Sequence, residues 1–239
     1  MIRSQRYGTF YCFSPGVMLA TFIIEIAYIG YIIFRYKINQ IARLSIVLIF
    51  LLAVFQLAEY LHCGATEANA AFWSRVGFAA ITFLPPVGVH LVYSIAGKSW
   101  NNIIAVAYGS ALGFAGIFLF GANAFSGYEC AGNYVIFQLA PKLGGYYFVY
   151  YYFWLFVTTF LCLKFARALD SKKFVGARQS LILFAIGYLG LLLPTLIVNS
   201  IKPETVNGKP SIMCGFAIML ATIIVFGIIP RMAKLKNKK

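Results

Sequence analysis

The feature that most constrains this chain is a set of long stretches without a charged side chain. Residues 76–97, 99–128, 143–163, 179–201 and 210–230 contain no Asp, Glu, Lys or Arg. Each stretch is long enough for the roughly 20 residues with which a helix crosses a bilayer. The chain as a whole is 62% apolar and 11% charged, whereas soluble domains are about 25% charged. These patterns exclude a soluble enzyme and a nucleic-acid-binding domain.

Two further apolar segments carry one acid each, so the sequence predicts seven membrane-spanning helices. The fold class expected is all-α integral membrane, with residues 1–239 forming a single domain. The predicted spans are 15–34, 41–61, 73–96, 101–121, 145–166, 179–200 and 211–230.

The distribution of lysine and arginine predicts the orientation, because these residues collect in cytoplasmic loops. With the C-terminus in the cytoplasm, fourteen of the twenty basic residues lie inside and the N-terminus lies outside. The inner set is Arg35, Lys37, Arg43, Lys98, Lys164, Arg167, Lys172, Lys173, Arg178, Arg231, Lys234, Lys236, Lys238 and Lys239. We expect a multi-pass protein of the cell (inner) membrane whose basic face meets anionic lipid. A cytoplasmic or membrane protein is a further expected partner, and nucleic acid is not.

Four of the five cysteines fall at the predicted outer boundary of the membrane, namely Cys12, Cys63, Cys130 and Cys214. In an oxidising compartment this placement favours two disulfides. The pairing Cys12–Cys214 with Cys63–Cys130 suits a helix ring in which the first and last helices are neighbours.

Two alternatives for these cysteines stay open. One is a zinc site in which Cys63 would act with Glu59 and His62, and the other is a set of free buried thiols. Cys162, near the inner end of the fifth helix, is expected to be an apolar filler. We expect no metal and no cofactor.

Several polar side chains are predicted to lie at membrane depth, where each needs a partner or a cavity. Glu25 lies near the middle of the first helix and His90 lies two-thirds of the way into the third. We expect these two to form a deep titratable pair that holds a cation or relays a proton. The predicted polar rim of an outward-facing cavity consists of Gln56, Glu59, Arg75 and Asn199.

A structural interpretation of the same groups also stays open. Glu59 and Arg75 would then form an ion pair, while Glu25 would be protonated and bonded to backbone or tyrosine. His90 would be a neutral packing residue.

Prolines and aromatic residues mark two more features. Pro85 and Pro86 remove two backbone donors, so we expect a kink in the third helix and carbonyls near 80–82 that need partners. Pro194 predicts a kink in the sixth helix, which makes both positions candidate hinges. Eight of the nine residues in 146–154 are aromatic. They predict a lipid-facing belt, with one or two side chains left to line a pocket.

Two groups of residues form a recognisable pattern: Phe72-Trp73-Ser74-Arg75-Val76-Gly77 followed by Leu84-Pro85-Pro86, and later Arg178-Gln179, Gly187, Pro194 and Asn199. In this pattern the sequence resembles the seven-helix membrane region at the N-terminus of some bacterial sensor histidine kinases and diguanylate cyclases. The resemblance implies a sensory role. The sequence ends soon after Pro230 without a kinase or cyclase domain, so signalling would require a separate partner.

Three further motifs are Cys-Phe-Ser-Pro at 12–15, Gln-x-x-Glu from Gln56 to Glu59, and Ser-Ile-Met-Cys-Gly-Phe at 211–216. In these the chain resembles stand-alone bacterial seven-helix membrane proteins, a resemblance that implies no activity.

Three functions follow as hypotheses, and none is enzymatic, because no hydrolase or metalloprotease motif occurs. The first is a receptor-like module that binds a small ligand at an outer pocket. The second is a small-solute or ion transporter with Glu25 and His90 as coupling groups. The third is an accessory subunit of a membrane complex.

Overall fold

A computed structural model describes residues 15–61, 70–131, 134–170, 173–201 and 217–236. Helices dominate this part of the chain, with one β-hairpin between the fifth and sixth of them. The helices are α1 (Pro15–Arg35), α2 (Gln40–Tyr60), α3 (Ala70–Thr82), α4 (Leu84–Ile95), α5 (Asn102–Phe120), α6 (Pro141–Ala168), α7 (Val175–Ile201) and α8 (Ala217–Met232). The hairpin consists of β1 (Phe125–Ala131) and β2 (Tyr134–Leu139), paired antiparallel.

Six helices in the described residues are long and apolar enough to cross a membrane, counting α3 and α4 as one broken span over Ala71–Ile95. This confirms six of the predicted helices as long and apolar enough to span a membrane, which supports a multi-pass helical membrane protein. The seventh predicted span is described from residue 217 onward, where α8 is shorter than the other spans. Residues 211–216 of that span lie outside the described residues.

The ends of several helices differ from the boundaries that charge predicts. Helix α7 begins at Val175 rather than near 179, and α6 runs from Pro141 to Ala168 rather than over 145–166. The predicted start of α7 follows Arg178, because the charge-free stretch begins only after this cation. A helix can instead continue through such a residue, because a long basic side chain reaches from the membrane boundary into water.

Two helices begin at asparagine caps. The side chain of Asn39 accepts from the backbone N–H of Ala42 at 2.9 Å, and that of Asn101 accepts from Ile104 at 3.2 Å. Each bond satisfies one of the free N–H groups of a first helical turn. The caps therefore fix where α2 and α5 start.

The broken span α3–α4 is the centre of the bundle. In its most apolar stretch 78% of the residues are buried, against 22% for α1. It packs against α2, α5, α6 and α7. The outer helices turn large apolar side chains outward, among them Phe120 and Val149, in keeping with a lipid surrounding.

The predicted kink is confirmed as a break in the helix at Phe83. Pro85 and Pro86 lie in the first turn of α4, where a missing N–H leaves no bond unmade. By contrast, α7 continues as a helix through Pro194, so the second hinge stays a prediction.

The connections α1–α2 and α4–α5 lie at the same end of the bundle as the end of α8. Residues on either side of Tyr36 pair with residues on either side of Leu235 through two backbone hydrogen bonds. Gln40 contacts His90, and Lys98 lies over the ring of Phe165 near the end of α6. We call this the basic end. It gathers the described members of the predicted inner set of cations, and which side of the membrane this end faces stays a prediction.

Candidate functional site

The carboxyl of Glu25 is the most unusual polar group in the described structure. Its side chain is 0% exposed, on a helix that is otherwise mostly exposed to the surroundings of the bundle. Neither carboxyl oxygen has a hydrogen-bond partner among the described residues. A bare carboxylate in apolar surroundings is costly, so this group holds a proton or meets a cation.

Hydroxyl groups on the same side of α1 are already bonded elsewhere. Thr21, one turn before Glu25, donates to the carbonyl of Val17 at 2.8 Å. Tyr28, one turn after Glu25, lies 3.1 Å from the hydroxyl of Thr222 on α8. None of these bonds involves the carboxyl of Glu25. Thr21, Glu25 and Tyr28 therefore form a short polar row along α1, in which the carboxyl has no partner among the described residues.

The contact between Tyr28 and Thr222 joins this row to an irregular part of α8. The hydroxyl of Thr222 donates to the carbonyl of Ile218 at 2.7 Å, so Tyr28 is the donor in the bond between helices. Residues Ile223–Ile228, which follow, form a π-helical segment. Such wide turns occur frequently at functional sites. The sequence analysis missed both the π-helical segment and the contact between Tyr28 and Thr222. The spacing of three residues between Glu25 and Tyr28, which places both on one helix face, could have pointed to Tyr28.

His90 does not join Glu25. One ring nitrogen lies 3.1 Å from the amide nitrogen of Gln40, and the other lies 3.4 Å from the hydroxyl of Tyr108. Its ring also meets Trp100 edge to face at 5.3 Å. These partners place His90 at the basic end, whereas Glu25 lies almost three helical turns before Arg35, about 15 Å along α1. The expected deep pair of Glu25 and His90 is therefore not assembled in this structure.

Arg75 caps the C-terminal end of α5. Its guanidinium donates to the carbonyl of Leu119 at 2.9 Å and lies 3.3 Å from that of Phe118. A cation at a helix C-terminus satisfies free carbonyls and complements the helix dipole. The structure thus gives Arg75 a role in holding α3 to α5, which the sequence did not indicate.

Of the other residues predicted to form the polar rim, the structure describes the side chains of two. Gln56 is 3% exposed and Glu59 is 1% exposed, so both point into the bundle from α2. Asn199 belongs to α7, but its side chain lies outside what the structure describes. The polar rim stays a prediction.

Most of the predicted disulfide residues lie outside the described part of the chain. This holds for Cys12, Cys63 and Cys214, and for His62 of the alternative zinc site. Cys130 is in β1, but its side chain is not described. The structure gives no support for a disulfide. Cys162 is a buried free thiol, as expected, and the described residues contain no metal-binding cluster.

A small apolar cavity lies at the middle of the bundle. Its volume is about 20 Å³, measured as the space that the centre of a water molecule can occupy. This is enough for one or two water molecules. It is bounded by Leu48, Leu52, Leu84, Tyr151, Leu155, Tyr188, Leu191, Ala217 and Leu220. Glu25 is not among them, so this cavity is not the predicted ligand pocket.

The aromatic cluster of α6 is divided between lipid and core. Tyr146 and Phe153 are exposed, as is Val149 between them, whereas Tyr147 and Tyr150 are buried. The outward residues are in keeping with the predicted belt. The inward residues pack against other rings, among them Tyr147 on Phe118 at 4.9 Å, and Tyr151 lines the small cavity described above.

Comparison with models of known protein families gives no match, and comparison with curated protein sequences gives none either. The resemblances to sensor regions and to stand-alone bacterial membrane proteins therefore stay predictions.

Proposed function

We propose that this chain is a non-enzymatic, receptor-like protein of the cell (inner) membrane that takes up a proton or a small cation at Glu25. The observation that carries the proposal is the fully buried carboxyl, which has no hydrogen-bond partner among the described residues. In membrane proteins such a group marks an ion or proton site by default, since its desolvation is otherwise uncompensated. In the proposed topology seven spans place the N-terminus outside and the C-terminus in the cytoplasm.

The connection from Glu25 to the cytoplasmic side would run along α1 and α8. Tyr28 follows Glu25 by one turn and bonds Thr222, directly before the π-helical segment of α8. Beyond that segment α8 ends at the basic end, where the residues that follow it pair with the end of α1 and the α1–α2 connection. A change in the charge of Glu25 would thus bias two helices that meet again where a separate signalling partner would bind.

The second candidate is an ion or small-solute transporter with Glu25 as the coupling group. The same buried carboxyl favours it, because a coupling site must release its proton or cation in turn. His90 has no part in this version, since it lies at the basic end. The accessory-subunit hypothesis stays a prediction without a specific contact to support it.

Binding can be tested by thermal unfolding of the purified protein in nanodiscs, with Na⁺, K⁺ or N-methylglucamine at constant ionic strength and at several pH values. A cation or proton that binds the folded state raises its unfolding midpoint by linkage. We expect the wild type to respond to pH or to one of the small cations, and Glu25→Gln to lose that response. Ser45→Ala is the matched control, because Ser45 is also fully buried and its oxygen has no partner in the described part of the chain, but it does not ionise.

Flux measurements in proteoliposomes then separate the two candidates. Binding without proton or cation flux supports the receptor, and flux that Glu25→Gln abolishes supports the transporter. A response that is equal in the wild type and Glu25→Gln would refute both.

A further inference from the structure

The basic end contains a small structure that we call the basic clasp, made of residues 35–37 and 234–236. Tyr36 and Leu235 form an antiparallel bridge. The N–H of Lys37 donates to the carbonyl of Lys234 at 2.8 Å, and the N–H of Lys236 donates to the carbonyl of Arg35 at 2.9 Å. This pattern sets Lys37 opposite Lys234 and Arg35 opposite Lys236.

Both facing pairs in the clasp therefore carry like charges. Residues directly opposite in an antiparallel pair have Cβ atoms about 5 Å apart, and like charges at that spacing are destabilising. Tyr36 is 4% exposed, so its side chain points into the bundle, whereas all four cationic residues are exposed. Neither segment of the clasp contains an acid that would neutralise them.

Two of the four cations have a local, uncharged partner, and the first is Arg35, whose guanidinium hydrogen-bonds the hydroxyl of Tyr36. The ammonium of Lys236 donates to the carbonyl of Ile33, at the C-terminus of α1, at 2.7 Å. The helix dipole favours a cation there. This contact leaves its two other N–H donors, and the charges of the other three residues, without an anion from the clasp.

The position of the clasp indicates the kind of anion that it meets. Arg35 is the last residue of the first span, and Lys234 follows two residues after the end of α8. The clasp thus lies at the level where a bilayer presents its phosphate groups. We propose that the basic clasp is a binding site for the phosphate of an anionic phospholipid, which holds the ends of α1 and α8 together.

The proposal predicts opposite effects in two lipids. In nanodiscs of phosphatidylcholine, Lys37→Gln with Lys234→Gln removes a facing like-charge pair, so this double variant should unfold at the wild-type temperature or above it. Addition of phosphatidylglycerol should raise the wild-type midpoint by several degrees and the double variant's by less than half as much. The matched control is Lys164→Gln with Arg167→Gln, which removes two exposed cations from the end of α6 and should keep the full gain.

Further arms distinguish the lipid from free phosphate and from the function proposed above. Inorganic phosphate at matched ionic strength should give little of the gain. Glu25→Gln should keep the gain from phosphatidylglycerol, because Glu25 is not part of the clasp. If the double variant does not fold, native mass spectrometry of Lys234→Gln should show fewer retained phosphatidylglycerol molecules than the wild type.

Three results would overturn the proposal. They are an equal gain in the double variant and its control, a full gain from inorganic phosphate, and unchanged lipid retention by Lys234→Gln.

Discussion

The hydroxyl of Tyr150 donates a 2.7 Å hydrogen bond to the main-chain carbonyl of Thr82, directly before the break in the central span. The hydroxyl of Thr82 itself donates to the carbonyl of Phe78 at 2.6 Å and lies 3.2 Å from the hydroxyl of Tyr147. A proline break frees carbonyls that water cannot reach at this depth. Helix α6 therefore supplies the partner that α4 cannot.

Tyr150→Phe should destabilise the protein by about 1 kcal/mol, since it leaves a buried carbonyl without its donor while keeping the ring. Thermal unfolding in detergent measures the effect. Tyr146→Phe is the control, because Tyr146 lies on the same helix at 72% exposure and should not matter. Equal midpoints for both variants would contradict a role for Tyr150 at the break.

Gly88 allows α7 to approach the central span. A Cβ at this position would collide with the hydroxyl of Tyr188. Gly88→Ala should therefore lower the unfolding midpoint, at a cost of about 1–3 kcal/mol from overpacking. Tyr188→Phe, which removes the colliding oxygen, should restore part of the loss in the double variant.

The same substitution at an open position should have the opposite sign. A Cβ at Gly109 in α5 meets nothing within 4 Å. Gly109→Ala should leave the midpoint unchanged or raise it, because alanine has the higher helix propensity. If Gly88→Ala and Gly109→Ala change the unfolding midpoint equally, the close contact between Gly88 and Tyr188 does not contribute to stability as proposed.

Glu25→Met should make the protein more stable by about 1–3 kcal/mol. An unpartnered polar group in apolar surroundings costs about this much, and methionine fills a similar volume without it. Thermal unfolding at neutral pH measures the gain. A large loss of stability instead would show that the carboxyl has a structural role, contrary to the function proposed for it.

The four predicted outer cysteines can be tested by alkylation of the denatured, non-reduced protein followed by peptide mapping. We expect Cys12–Cys214 and Cys63–Cys130 to be protected and Cys162 to be alkylated. Reduction should then lower stability by about 2–4 kcal/mol for each bridge. Alkylation of all five cysteines would remove the disulfide hypothesis.

The spans and the break in the third helix follow from single properties of the sequence. Absence of charge locates the helices, and the missing N–H groups of Pro85 and Pro86 locate the break. These properties act locally, so they are readable without knowing which helices pack together.

The partners of polar side chains depend on helix rotation and neighbour choice, which charge counts do not encode. His90 and Glu25 seemed a pair because both interrupt apolar segments, yet their helices place them at different depths. The inward tyrosines of α6 were hidden in a run where nearly every residue is aromatic. Their hydrogen bonds to Thr82 can be recognised only once α6 is known to pack against the broken span.

The central position of α3–α4 has a consequence for biogenesis. This segment is synthesised before α6 and α7, so the carbonyl of Thr82 has no Tyr150 to bond until α6 has been made. A nascent chain that stops before Tyr150 therefore has an incomplete core. The contacts of the central span with α6 and α7 can form only after those helices are synthesised, so the middle of the protein is completed late.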